Sequence, residues 1–496
     1  MRHPMGSFAA CLPTDDPAAL SQPPAWVSDA VVCQIFPDRF RRSGHAPQQH
    51  GLQLQPWGSP PHPQAFQGGD LYGLIEGLDN LQQLGITCLS LNPIFSSAAN
   101  HRYHAYDYFQ VDPLLGGEAA FDALLAELRK RGMRLMLDGV FNHCGRGFWE
   151  FHHLLENGSA SPYVDWFITD QWPLQPYPLS GEPCGYHSWW CDPALPKFNH
   201  ANPQVREHLL LVGEYWLERG IDGWRLDVAD EVDSAFWPEF RRRVRRVNPE
   251  AWIVGEVWGD ARRWLGGDQF DGVMNYRVAW STLGWVADGR LQEGHARTSI
   301  PYACLSGAQY GAVLEETLSW YSAAVNQAQL NLLDSHDVPR ALHMLQGDVA
   351  ALRLALLLLF CLPGVPCVYY GTEAGLSGGA EPACREALPW GDPRAWPHDL
   401  RGELASLALL RREHPALRDP QLRVEPLPGA AGDQGLRLRR GDPADAGVVV
   451  LINRSRTAPL PLTHEAGARV LWPPDQAGDR VPAQLEPQRA VVVAAT

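Results

Sequence analysis

Four short acidic motifs carry most of the chemistry legible in this chain: Asp138-Gly-Val-Phe-Asn142-His143, Gly223-Trp-Arg225-Leu-Asp227, Gly255-Glu256-Val-Trp258 and Asp334-Ser-His336-Asp337. On an extended chain, residues two apart face the same side, so Arg225 and Asp227 point together. A guanidinium beside a carboxylate favours the ionised acid, the state a carboxylate nucleophile needs. A structural ion pair is the competing reading of that motif alone. If the second and third motifs lie on adjacent strands, about 4.8 Å apart, Glu256 comes within about 5–5.5 Å of Asp227, the spacing of a retaining glycosidase pair. A neighbouring anion and aromatic surroundings both raise a carboxyl pKa, which would leave Glu256 protonated as a general acid. His336 and Asp337 would reach the same place from across the fold, with Asp334 structural. Asp138 and His143 are groups that grip neutral hydroxyls.

Positioning these residues together requires a particular framework. Short apolar runs at 31–36, 88–93, 134–140, 223–228, 252–258, 270–276, 331–337 and 367–373 alternate with helical stretches, the pattern of βαβ units around a parallel sheet. Eight such units predict an α/β fold, a (β/α)8 TIM barrel over 29–415, whose active site lies at the C-terminal strand ends. The four motifs fall at the ends of strands 3, 4, 5 and 7. The connection after the third strand is abnormally long and rich in Trp, Pro, Tyr and Gly, which predicts an inserted subdomain over 144–200. From about 416 the runs become short and strand-like, predicting a C-terminal antiparallel β-sandwich domain over 416–496. Residues 1–28 read as an N-terminal extension.

The 496 residues carry a net charge of −15 and are 45% hydrophobic and 20% charged, which disfavours disorder and coiled coil. An acidic surface argues against nucleic acid or an anionic membrane as partner. The basic run Arg241 to Arg246 reads as the solvated face of a helix. No apolar core follows the first basic residues, so no secretory leader is expected, and the run Leu354 to Pro363 is too short to span a bilayer. Ten cysteines without CxxC spacing are expected to be free and buried. These features predict a cytoplasmic enzyme. The aromatic share of 10% suits a carbohydrate ligand, whose apolar faces pack on flat rings.

The motifs DGVFNH, GWRLDVADE, GEVW and LLDSHD resemble, in order, the four signature regions of the α-amylase superfamily, glycoside hydrolase family thirteen. LNPIFSSAANHRYHAYDYFQVDPLLGG is similar to that family's second-strand segment. LPKFN resembles its fifth region, and GDQFDGVMNY and GGAEPACREALPW resemble the neopullulanase, cyclomaltodextrinase and maltogenic amylase group. The resemblance implies a malto-oligosaccharide or other α-glucan substrate, with Asp227 as nucleophile, Glu256 as general acid/base and Asp337 as transition-state stabiliser. It further implies that Arg225, His143, His336, Asp138 and Tyr103 hold the attacked sugar and that Glu231 lines the acceptor side; Trp258 reads either as a stacking platform or as a core residue.

The chain also departs from the group's pattern. The first strand begins near Val31, leaving no room for the group's N-terminal β domain, so a more open site is expected and the group's dimer is not. The loop RRSGHAPQQHG lacks the Asp and Asn cluster that binds calcium in several relatives, so no metal is expected there; Asn142, against the inserted subdomain, is the alternative calcium position, and no cofactor is expected. His104 stands where relatives often have Asp, Asp230 where they have Asn, and Ala380-Glu381 replaces Asn-Asp beside Arg385, with which Glu381 is expected to pair. The leading expectation is a retaining hydrolase of α-1,4 links, and of α-1,6 links as an extension. An α-1,6 debranching or mainly transferring enzyme is the alternative. A non-catalytic glucan-binding protein would show gaps in the carboxylate set, and Asp227, Glu256 and Asp337 leave none.

Overall fold

A computed structural model describes residues 22–45, 52–293, 302–391, 396, 399–429, 432–441, 447–462 and 467–495. Eight parallel strands close a barrel: β1 (Val32–Ile35), β2 (Cys88–Leu91), β3 (Arg134–Gly139), β4 (Gly223–Leu226), β5 (Trp252–Gly255), β6 (Gly272–Asn275), β7 (Leu330–Asn331) and β8 (Val365–Tyr369). They neighbour one another in chain order, and β1 meets β8 to complete the ring. The expected (β/α)8 architecture is therefore present, although β7 shrinks to two residues.

Period-two alternation divides the barrel core. Leu135, Leu137, Trp224, Leu226 and Ile253 point outward into the layer shared with the helices. Val32, Cys88, Met136, Val254, Met274, Leu330 and Val365 fill the interior. The same alternation turns Gln34, Asp138 and Arg225 inward, where they are buried at 3%, 2% and 1% exposure. Helices Leu71–Gln83, Gly117–Arg131, Pro203–Arg219, Phe236–Val247 and Val349–Cys361 surround the strands.

Two expectations change. The run 241–246 is not simply a solvated face: Arg241 and Arg245 are buried and both pair with Asp271, at 2.9 and 2.8 Å. The helical pattern alone could not reveal a buried carboxylate arriving from the residue before β6. Of the predicted extension, residues 1–21 lie outside the described residues, whereas Ala25–Asp29 forms a 3-10 turn against the barrel floor. There Val27 is buried and the Trp26 ring meets Trp252 edge-on at 5.7 Å. Part of the RRSGHAPQQHG loop, residues 46–51, also lies outside the described residues.

Two insertions cover the barrel mouth: a hairpin, Phe95–Ser97 with Ala105–Val111, and the segment after β3, which contains the helix Trp149–Asn157. The second is bridged back to the barrel at His143 and Lys197. Beyond the helix Leu400–Glu413, an antiparallel sheet of β9 (Leu422–Gly429), β10 (Gly432–Arg440), β11 (Val448–Asn453), β12 (Val470–Trp472) and β13 (Arg489–Ala494) runs in the order β9-β10-β11-β13-β12. Arg454, just past β11, donates to the carbonyls of Trp285 and Leu305 in the barrel at 2.6 and 2.7 Å. Among the described residues no helix is long and apolar enough to cross a membrane.

Candidate active site

The register of three strands builds the centre of the site. Asp138 on β3 and Arg225 on β4 are direct pairing partners, and Leu226 pairs with Gly255 on β5. Asp227 and Glu256 then follow their strands at the mouth, held by Asp227 N to Gly139 O and Glu256 N to Leu226 O, at 3.0 and 2.9 Å. Arg225 Nη1 donates to Asp138 Oδ1 at 2.8 Å and to Asp227 Oδ1 at 2.7 Å. Its Nη2 lies 2.8 Å from Glu256 Oε1 but makes no aligned hydrogen bond.

Glu256 is anchored instead by the backbone N–H of Val228, which meets Oε2 at 3.0 Å. Val228 achieves this at φ +46, a left-handed conformation rare for a β-branched residue. Strain of this kind persists only where the surroundings over-determine the backbone.

One guanidinium thus serves three buried carboxylates, and the charges do not balance. Burial pushes Glu256 up to about 8, against the pull of Arg225. Burial likewise raises Asp227 to about 7 and Asp138 to about 6, with Arg225 opposing both. Arg225 does favour the ionised form of Asp227, but its charge is divided among three acids and burial outweighs it. The order survives: Asp227 loses its proton before Glu256, since only Asp227 accepts an aligned bond from the guanidinium.

Asp337 behaves differently. Burial would raise it, but His336 at 3.0 Å and Arg385 at 3.4 Å hold it well below the usual carboxylate range. Arg385 also pairs with Glu381 at 2.8 Å and donates from Nε to the His336 carbonyl at 2.9 Å. Asp334 turns away and caps Ala341 N at 2.8 Å. Tyr103 links the two halves of the site. Its Oη donates to Asp138 at 2.8 Å, lies 2.6 Å from His336 Nε2, and accepts from Asn92 at 2.9 Å. The Tyr103 and His336 rings stack at 5.3 Å.

These side chains open into a cleft of about 370 Å3 lined by Tyr103, His143, Asp227, Glu256, Asp337 and Arg385, together with Glu231, Trp258 and Glu381. Burial lowers His143 to about 3, so its imidazole is neutral. Its Nε2 is buried with no protein partner. Trp258 stacks face to face on Tyr276 at 4.1 Å. On the outer wall, Glu231 accepts from Trp189 Nε1 at 3.2 Å and Lys197 Nζ at 3.3 Å. Trp189 in turn stacks on His143 at 5.3 Å and on Trp190 at 4.9 Å.

All twelve residues singled out in the sequence converge on this cleft or its immediate backing. The sequence reading missed Gln34, Asn92, Trp189, Trp190 and Lys197. A signal existed for Gln34, an inward polar residue in an otherwise apolar strand, and for the Trp189-Trp190 pair in the long connection. Asn92 carried none.

Comparison with known proteins agrees with this geometry. Residues 34–388 match the family described as "Alpha amylase, catalytic domain". A cyclomaltodextrinase of Geobacillus thermopakistaniensis is 40% identical over 463 residues, covering 92% of this chain and 74% of the relative. The solved debranching enzyme from Nostoc punctiforme superimposes with a TM-score of 0.82 at 40% identity, over 95% of this chain and 99% of that one. The cyclic α-maltosyl-(1→6)-maltose hydrolase from Arthrobacter globiformis, in complex with that ring, gives a TM-score of 0.83 at 36% identity, over 95% and 100%. The chain belongs to the α-amylase family of glycoside hydrolases, alongside cyclomaltodextrinases, maltogenic amylases and neopullulanases.

Proposed function

We propose that this protein is a retaining α-glucan hydrolase in which Asp227 is the nucleophile and Glu256 the general acid/base. The observation that carries the assignment is the unequal grip of Arg225, which hydrogen-bonds Asp227 but not Glu256. Glu256 gives its proton to the glycosidic oxygen as the bond to the anomeric carbon breaks. Asp227 attacks that carbon from the opposite face, forming a covalent glucosyl ester. Glu256, now a carboxylate, takes a proton from water, whose oxygen displaces Asp227 and restores the original anomeric configuration.

In this reading Asp337, kept ionised by His336 and Arg385, strengthens its contacts as positive charge develops on the sugar. Tyr103, Asp138, His143 and His336 grip the attacked ring, and His143 offers its free Nε2. Glu231 and Trp258 serve the acceptor side, while Glu381 orients Arg385. The mechanism draws on side chains alone and assigns no step to a metal or cofactor. The nine described cysteines are free, six of them buried as expected, whereas Cys184 is half-buried and Cys191 and Cys304 are exposed; unpaired thiols support a reducing, cytoplasmic setting.

Cleavage of α-1,6 links is the second reading. Two of the solved relatives that match this chain nearly end to end are named for debranching and for a ring containing 1→6 links. Incubation with pullulan separates the readings: panose indicates α-1,4 attack and maltotriose α-1,6 attack. Product of inverted anomeric configuration, followed by NMR during the first turnovers, overturns the assignment of Asp227.

A further inference from the structure

Gln34 is a buried amide on β1 that the mechanism above does not use. It is 3% exposed and faces the barrel interior. Its Nε2 lies 3.2 Å from Nδ1 of His336, and its Oε1 has no protein partner. Among the described residues the imidazole is the one hydrogen-bond partner of the amide, so the orientation of Gln34 and the proton of His336 determine one another.

On its other side His336 meets groups with fixed demands. The ionised Asp337 can only accept a hydrogen bond, so at 3.0 Å it requires the imidazole proton to sit on Nε2. Tyr103 Oη, 2.6 Å from the same nitrogen, already donates to Asp138 and accepts from Asn92, which leaves it one lone pair to accept from the ring. A proton on Nε2 leaves Nδ1 bare, and a bare buried nitrogen needs a donor. Gln34 Nε2 supplies it. Arg385 and Arg225, the nearby cations, disfavour a second proton on the ring, as does burial, while Asp337 favours one. His101, two residues before Tyr103, interacts electrostatically with the same ring.

We propose that Gln34 is a positioning residue that fixes the proton of His336 on Nε2, so that the neutral imidazole presents its one N–H to Asp337 and Tyr103, the two neighbours that line the cleft. The inference rests on the proposed roles of Asp337 and Tyr103 in gripping the bound sugar. The chain of contacts runs from β1 to the nucleophile: Gln34, His336, Tyr103, Asp138, Arg225, Asp227. A carboxylate at position 34 would reverse the requirement. When ionised it only accepts, drawing a proton to Nδ1 while Asp337 retains the one on Nε2, and the ring becomes a cation where the mechanism develops positive charge.

The test is 15N NMR of the substrate-free enzyme labelled at histidine, with the His336 signals identified by their loss in His336→Gln. The expected wild-type result near neutral pH is a neutral ring protonated on Nε2. A ring protonated on Nδ1, or an imidazolium, overturns the proposal. In Gln34→Glu the titration midpoint of His336 should rise by about one unit or more. Its kcat on maltotriose should fall about tenfold, with KM within about twofold. A folded Gln34→Glu enzyme with unchanged His336 titration and kcat within twofold also overturns it. If that variant does not fold, the wild-type spectrum decides alone. No substrate is present in the spectra, so their outcome is independent of the glucan-hydrolase reading, which the Asp227 and Glu256 variants test separately.

Discussion

Asp227 and Asp138 share a single donor atom, Nη1 of Arg225, at 2.7 and 2.8 Å. The shared donor places a second carboxylate beside the nucleophile and makes their proton affinities interdependent. Asp138 raises Asp227, and Arg225 lowers both. Three acids around one base is the electrostatic identity of this site.

Asp227→Asn and Glu256→Gln should each lower kcat on maltotriose by at least about a thousandfold, the scale of removing a nucleophile or its acid partner. Thermal midpoints should stay within a few degrees of wild type, because neither change alters side-chain volume. Steady-state kinetics with calorimetry checks both. Retained turnover in either variant shifts the chemistry to other residues.

The pH dependence follows from the same ordering. Asp227 must be ionised to attack and titrates near 7, so activity falls as pH drops through that value. Glu256 must hold its proton and titrates near 8, so activity falls again as pH rises through it. The kcat/KM profile should be a narrow bell centred between the two, its limbs belonging to the coupled pair. Asp138→Asn removes a neighbouring anion and should move the acid limb downward.

How much of this was legible in the sequence depended on periodicity. Alternation along β3, β4 and β5 turned Asp138, Arg225, Asp227 and Glu256 inward together, and two-residue spacing suffices to see that. Tyr103 was named only through a family resemblance, because it stands on a loop with no period. Trp189 was missed for the same reason: its contacts with Glu231 and His143 close distances of 42 and 46 positions along the chain. Arg241 and Arg245 were misread because a helical face pattern does not reveal Asp271, which arrives from a different element.

Glu231 holds both Trp189 and Lys197, so its removal should loosen the outer wall without touching the acids. Glu231→Ala should raise KM for long maltodextrins by about three- to tenfold, the loss of one or two hydrogen bonds. Hydrolysis of short substrates at saturation should remain within about twofold. Equal losses on short and long substrates would remove Glu231 from the acceptor side.

Asp271 is the shared ion-pair partner of two buried arginines, and Asp271→Asn takes it from both. Breaking a buried pair from one side costs about 3–5 kcal/mol, so the denaturation midpoint should fall markedly in urea. Replacing an exposed partner such as Asp122, whose contact with Arg219 is solvated, should cost less than about 1 kcal/mol.

The two carbonyls that Arg454 grips belong to the barrel, although its own backbone belongs to the sheet. Separating the layers would take from the guanidinium both barrel carbonyls and its ion pair with Asp288, 3.7 Å away. The two layers are thereby obliged to come apart together, and a truncation after the helix Leu400–Glu413 would expose that seam rather than release an independent catalytic core.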